Sequence, residues 1–523
     1  MVLVTLPPKA QARRAELPTP DSTHSYWHRE PSKTLLDHRT TEDLPTTADV
    51  VVVGSGISAA FAARELVAGG RSVVMLEARE ACWGATGRNG GHCQPTVWDS
   101  VEEVARFELA TFDLIAGLVA EHDIPCDWHV VGGVHAIYSQ EVLEAAEKQM
   151  IRLRKSPDLK DKAELIQDRA ELAARRVPAA LGAIFQPNAA KLWPYKLVAW
   201  VLETLLRDHD AAVFNLQTNT PVTRLERGHG PSSSSSSSVW VAHTPRGEVR
   251  AREVLLATNA YTSYLLPGLT DVIVPVRGQI CALEPPPGAA QLAHSYVWTK
   301  DASDQYLIHR GLDDAQVPQA GSEGREIPRS RPRPGTGDED GSGVGDRSLI
   351  LGGERFAVPE GEEGVSRDDT INPLVSRALH RGLSHAVKLL PADERERDAL
   401  RATYEWTGIM GYSRDGQPWV GRVPGAFLGA SDNDAENTGI STSAVDVDGL
   451  WMTAAFTGHG MPVAPRCGIA VAQMILGKGG EGEKDGVRVP RAWIPSVERV
   501  AGARSMELPR TLEDMLRLLP PLD

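Results

Sequence analysis

DVVVVGSGISAAFAARELVAGGRSVVMLEAR, residues 49–79, is the stretch that decides the fold. Val50–Val53 is a β-branched run bounded by glycine, the pattern of a fully buried parallel strand. Gly54-Ser55-Gly56-Ile57-Ser58-Ala59 follows at once, and Ala60, Ala62, Ala63, Leu66 and Val67 then recur at helical spacing. Gly69-Gly70 stop that helix. Ser72–Leu76 reads as a second buried strand with Glu77 at its tip. The unit suits a dinucleotide position by position. Gly54 permits the tight turn, and Gly56 lacks the Cβ that would keep a pyrophosphate off the backbone. Ser58 and Ala59 open the helix, whose free N–H groups and dipole attract that anion. Ala59 stands where the third glycine of the pattern falls, and a small residue is enough for close helix–strand packing. Glu77, followed by Ala78 and Arg79, lies roughly twenty residues on, where an acceptor for ribose hydroxyls belongs. A carboxylate there disfavours a 2′-phosphate, and with it NADP.

The 523 residues are too many for one simple core, so two or more domains are expected. With 41% hydrophobic and 24% charged residues, the composition is that of a globular protein. A formal charge of -14 argues against nucleic acid or an anionic membrane as partner. No apolar run is long enough to span a bilayer, and the first residues have no signal-peptide core. Cys82, Cys93, Cys126, Cys281 and Cys467 are scattered, with no pair at zinc-ligand spacing, so no metal is expected. They read as free thiols in a reducing, cytoplasmic setting.

Outward from the dinucleotide unit, residues 1–45 form a Pro-, Thr- and charge-rich arm anchored by Tyr26 and Trp27. Gly84-Ala85-Thr86-Gly87-Arg88-Asn89-Gly90-Gly91 has five glycines or alanines in eight positions. It makes a loop whose backbone lies flat against something. Residues 99–121 form a helix with Val101, Val104, Ala105, Leu109, Phe112, Ile115, Leu118 and Val119 on one stripe. Residues 128–138 are strand-like, 140–172 a polar helical stretch interrupted near Ser156-Pro157, and 192–208 a helix. Short strands follow at 212–216 and 221–225, then a serine-rich surface loop at 232–238, after which 239–243 pairs with 248–256 as a hairpin. A buried strand ends in Ala257-Thr258-Asn259-Ala260. A second β-rich region opens at 272–280 and continues at 305–310 and 349–353, with a largely disordered insertion between the last two. Residues 430–448 look like another surface insertion. Leu450–Phe456 is a late strand that runs through Thr457-Gly458-His459-Gly460-Met461 into a helix at 462–476. A flexible linker at 477–486 leads to a helical tail.

These motifs resemble the flavoprotein family of D-amino acid oxidase, glycine oxidase and sarcosine oxidase, and most of all its γ-glutamylputrescine oxidoreductase-like branch. The fingerprint at 50–77, the loop at 84–91, Ala257–Ala260, Gly411–Gly421 and Phe456–Met461 carry the likeness, and Pro275-Val276-Arg277-Gly278-Gln279 fits as well. The resemblance runs from about residue 45 to residue 480. It implies an α/β protein: a Rossmann-like FAD-binding domain with a second, mainly antiparallel β-sheet substrate domain of α+β character. The FAD-binding domain takes 46–125, 186–271 and 401–480. The substrate domain takes 126–185 and 272–400, with 311–347 as insertion and 481–523 as tail. FAD is expected in extended form, its adenosine end near Glu77 and Val222. Its ring is expected between the loop Gly84, Ala85, Thr86, Arg88, Asn89, Gly90, Gly91 and the turn Gly458, His459, Gly460, Met461. Thr258, Asn259 and Gly421 complete the expected cofactor contacts.

Reduced flavin carries negative charge near N1. The turn's amides and the following helix N-terminus are the expected donors, with Arg88 or His459 adding positive charge. His92, Tyr306, Trp406 and His459 are the candidate catalytic residues. His92 follows the loop directly, with a backbone-bonded loop histidine as the alternative. Tyr306 and His309 point to opposite faces of one strand, and Tyr306 is favoured for the pocket. Trp406 is a pocket wall or a core residue, and Arg277 a structural salt bridge sooner than a carboxylate site. Cys93 and Cys467 are the candidates for covalent flavin, and a buried free thiol is the commoner state. The expected reaction is oxidation of a C–N bond in a small amine or amino acid, with oxygen or another acceptor taking the electrons. The rivals are a tailoring oxidation of a larger metabolite and a non-catalytic flavin protein.

Overall fold

A computed structural model describes residues 14–229, 238–300, 303–311, 346–383, 386–391, 394–428, 446–478, 486–510, 514 and 516. Val50–Val53 are all buried, as a strand covered on both faces requires. Their strand, Thr47–Val53, lies between Val73–Leu76 and Gly247–Leu256, parallel to both. Phe214–Gln217 extends the parallel set on one side and Asp446–Ala454 on the other. Trp419–Pro424 runs antiparallel beyond Asp446–Ala454, and the Arg224–His229 and Ser238–Thr244 strands ride on the first half of Gly247–Leu256. Gly54 has φ +103°, and a Cβ there would come within 2.7 Å of the Ala257 carbonyl oxygen, so only glycine makes this turn.

The fingerprint helix Ile57–Ala68 packs against the late helix Ala464–Ile475. The contact is close because Gly468 has no side chain: a Cβ there would sit 2.1 Å from the Ser58 carbonyl oxygen. Gly468→Ala is therefore expected to cost roughly 1–3 kcal/mol, by forcing apart the two helices behind the nucleotide turn. A chemical denaturation midpoint unchanged from the parent would refute this.

The second sheet has eight strands, in the order Ala402–Ser413, Ile273–Leu283, Leu349–Gly352, Ser303–His309, Ser295–Lys300, Gly133–Ile137, Gly182–Gln186 and Glu164–Ile166. Every pairing is antiparallel except that of Ser295–Lys300 with Gly133–Ile137. A small sheet of His92–Cys93, Ala190–Lys191 and His129–Val130 lies beside them.

Three expectations need correction. Residues 140–172 are not one interrupted helix: helix Gln140–Leu153 ends, and Glu164–Ile166 is an edge strand on Gly182–Gln186. The partner strand supplies the hydrogen bonds that a three-residue segment cannot make alone. The start of the expected 401–480 nucleotide segment also belongs to the other sheet. Ala402–Ser413 pairs along its length with Ile273–Leu283 and reaches the nucleotide side only at its end. The helix expected at 99–121 begins at Glu102, which leaves Asp99 in the preceding loop. The serine-rich loop and most of the 311–347, 430–448 and 477–486 stretches lie outside the described residues. Among the described residues, no helix is long and apolar enough to cross a membrane.

Candidate active site

The C-terminal ends of the parallel strands open into a cavity of about 800 Å³ that continues to the second sheet. At the nucleotide end, Gly54, Gly56 and Ser58 line it, with Glu77, Ala78 and Arg79 across the strand tips and Val222, Thr258 and Asn259 beyond. Glu77 is 9% exposed. Its carboxylate accepts from Ser55 N (3.0 Å), Ser55 Oγ (2.6 Å) and Arg79 N (2.9 Å), which fixes its direction. A Cβ on Gly56 would meet only Thr86 Oγ1, at 3.3 Å, and one on Gly84 would meet nothing within 4 Å. The space a side chain would take at these two positions is cavity, the shape a ligand cradle needs.

The loop 84–91 is braced from behind. Asn89 Nδ2 donates to Thr86 O (3.1 Å), Gly91 N to Asn89 Oδ1 (2.8 Å) and Trp27 Nε1 to Asn89 O (2.5 Å). Gly90 lies flat on Tyr306, whose ring a Cβ would strike at 1.8 Å. Arg88 lines the cavity, but its guanidinium is engaged by protein groups and not in the role expected of its charge. It is 1% exposed, its guanidinium donates to Trp83 O, Thr23 O and Thr407 O, and Nε lies 3.3 Å from the buried Asp368. Burial pulls its pKa down to about 10 against the pull of Asp368. Its work is to tie the loop to the N-terminal arm.

The turn 458–461 enters helix Ala464–Ile475, with Gly458 at φ +78°. His459 N donates to Phe456 O (2.8 Å), and Val463 N and Ala464 N donate to Gly460 O (3.2 and 2.8 Å). The amides of Gly460 and Met461 have no backbone partner among the described residues. His459 Nε2 lies 3.0 Å from Glu108, a residue the sequence reading did not single out. Burial is the largest single influence on the imidazole and lowers its pKa, but the charge and hydrogen bond of Glu108, with the charge of Asp99, together leave it above the ordinary histidine value. A signal for Glu108 was present: an acid four residues from Val104 and four from Phe112, on the apolar stripe of its helix.

His92 lines the same cavity. Burial, then the nearby His459, pull its pKa down to about 4, and its Nε2 is buried without a protein partner. Tyr306 lines the cavity and burial pushes its phenol up, while His309 points away and accepts from Leu292 N at 3.0 Å. Four named residues stay off the cavity: Ala59, Gly91, Trp406 and Gly421. Trp406 is fully buried and its Nε1 donates to Arg88 O at 2.8 Å, so it is a brace and not a pocket wall. Gly421 faces the C-terminal segment, where a Cβ would meet Pro495 at 3.2 Å. Arg277 pairs with Glu362 at 2.6 Å. All five cysteines are buried and none lines the cavity, which leaves a covalent thioether no route. Trp493, Met506 and Arg510, from the tail, do line it, and nothing in their local sequence signals this.

One cleft joins the tips of a parallel sheet with a dinucleotide fingerprint to a second, mainly antiparallel sheet, the arrangement of a dinucleotide-binding protein. The chain belongs to the FAD dependent oxidoreductase family, whose model matches residues 49–474, and FAD is its cofactor. It is similar to the probable oxidoreductase OrdL of Rhizobium meliloti, 23% identical over 83% of this chain and 84% of that protein. The similarity to OrdL of Haemophilus influenzae is 25% over 46% of this chain and spans 56% of that protein's length. The similarity to γ-glutamylputrescine oxidoreductase of Escherichia coli is 24% over 41% of this chain and half of that protein. The fold is that of glycine oxidase from Geobacillus kaustophilus, with a TM-score of 0.58 and 18% identity over 85% of this chain and 99% of that one. L-amino acid deaminase from Proteus vulgaris, with its specific insertion sequence deleted, gives 0.60 and 16% over 90% and 99%.

Proposed function

We propose that this enzyme oxidises the C–N bond of a small amine or amino acid. The observation that carries the reading is the far wall of the cavity, where Tyr306 and the uncharged His92 meet the loop 84–91 and the turn 458–461. Similarity to γ-glutamylputrescine oxidoreductase and the fold shared with glycine oxidase and L-amino acid deaminase support a nitrogen-bearing substrate.

Gly54, Gly56 and Ser58 hold the pyrophosphate, and Glu77 takes the ribose. The Gly460 and Met461 amides, which line the cavity and have no backbone partner among the described residues, would donate to the flavin ring when it is bound. Bound FAD supplies the hydride acceptor at N5. Gly90 and Tyr306 set the substrate's depth. His92, uncharged at neutral pH, orients the neutral amine and offers no charge to an ammonium. The carbon next to nitrogen gives up its hydrogen with the bonding pair, and nitrogen releases a proton to water. The C=N bond that forms takes up water outside the cleft, and carbonyl and amine separate. Oxygen or another acceptor then removes the electron pair.

The test is an anaerobic panel of polyamines, N-methyl amino acids and D-amino acids, read as loss of the oxidised flavin band. Peroxide and dye reduction in air then identify the acceptor. A panel that leaves the band untouched in FAD-replete protein would overturn the reading.

A further inference from the structure

One buried acid has no part in the chemistry above. Glu108 is 2% exposed on the covered face of helix Glu102–His122, among Val104, Ala105, Phe107, Thr111 and Phe112. Its Oε2 accepts from Thr96 N (2.6 Å) and Thr96 Oγ1 (3.1 Å), and the same oxygen lies 3.0 Å from His459 Nε2. Burying a carboxylate costs several kcal/mol unless partners compensate it. An apolar residue would pack this stripe more easily, so the acid answers to its partners. His459 itself is open: 36% of its side chain is exposed, and both residues line the cavity.

We infer that Glu108 is a positioning residue that fixes the His459 ring through Nε2 and keeps it an imidazolium, with its open edge toward the cavity at the turn 458–461. The inference rests on the proposed placing of the flavin ring at that turn. Thr96 anchors the carboxylate from the other side, so the ring cannot swing away without breaking a three-donor arrangement. The charged and titratable groups that act on His459 are Glu108 on its helix, Asp99 in the loop before that helix, and His92 on its strand. The first two favour the charged ring. His92, held down to about 4, is uncharged at neutral pH and does not compete. The pair carries no net charge, but its positive end is the one that meets the cavity. Electron uptake that leaves an anion beside it is favoured, as with other preorganised donors.

Glu108→Gln keeps the size and a hydrogen bond but removes the counter-charge, so His459 should lose its proton at lower pH. The experiment measures the midpoint potential of the bound flavin across the neutral pH range in the parent, Glu108→Gln, His459→Asn and the double variant. Each single variant should shift the reduced-to-oxidised ratio at neutral pH by about tenfold toward oxidised, and the double variant no further. The pH at which the potential changes slope should move down in Glu108→Gln. Potentials equal to the parent's within error, or losses that add in the double variant, would overturn the inference, since a purely structural role would leave the potential alone. If Glu108→Gln does not fold, histidine NMR of the unsubstituted holoenzyme decides. A His459 ring that titrates below the ordinary histidine value removes Glu108 from this role. Potential shifts in a protein that oxidises no amine would sink the proposed reaction and leave this inference standing. Normal amine turnover with unmoved potentials would do the reverse.

Discussion

Asp368→Ala should cost about 3–5 kcal/mol of stability, a large share of the ~5–15 kcal/mol that a folded protein commonly has. Asp368 is fully buried and its two oxygens accept from Arg79 Nη1 at 3.0 Å each. Arg88 Nε lies 3.3 Å away, and Thr19 Oγ1 donates at 2.8 Å. The arginine side chains are 5% and 1% exposed, so the alanine variant leaves two guanidiniums without their anion and without water. The damage should also reach the cofactor, because Arg88 belongs to the loop 84–91 that lines the cavity and Arg79 lines it too. Asp368→Asn should fall between parent and alanine, since it keeps acceptor oxygen but no charge. Urea unfolding checks this, and a loss under about 1 kcal/mol for alanine would mean that the arginines find other partners.

Gly56→Val should abolish FAD retention while leaving the apoprotein folded. The first added carbon meets only Thr86 Oγ1 at 3.3 Å, a contact a small adjustment relieves. The other two carbons must then enter the cavity at the helix start, where the pyrophosphate belongs. A loss on the order of 100-fold in affinity corresponds to roughly 3 kcal/mol. FAD per chain after desalting and far-UV circular dichroism of the same sample give the two halves of the prediction. Stoichiometric FAD in the variant would show that the turn is not the pyrophosphate site.

The nucleotide unit was legible because each of its features is local: a valine run, two glycines and a small-residue helix each have one physical reading. The loop 84–91 and the turn 458–461 were legible in the same way, as glycine-rich backbone, and both line the cavity. What could not be read depends on distant partners. Arg88 looks like a free cation in the loop, and only Asp368 and Thr407, far along the chain, show where its charge is used. Trp406 and Gly421 carry the right residue types near the right motifs. Their facing is set by sheet pairing and by the tail, which no short-range pattern reports. Glu108 is the intermediate case. Its place on an apolar stripe marks it as unusual, but the partner that explains it is His459, on another element.

The bracing of loop 84–91 has a consequence for how the chain is made. Arg88 is gripped at once by Thr23, near the start, and Thr407, near the end, and Thr407 N itself donates to Thr23 Oγ1 across 384 residues of sequence. Contacts of such separation carry the largest loop-closure entropy and form late. On the ribosome, the arm and the fingerprint emerge well before the Ala402–Ser413 strand, and the loop cannot take its final shape until that strand has left the exit tunnel. The nucleotide turn waits as well, because it packs against Ala257 and its helix against Ala464–Ile475, so cofactor capture is expected only after both late segments have emerged.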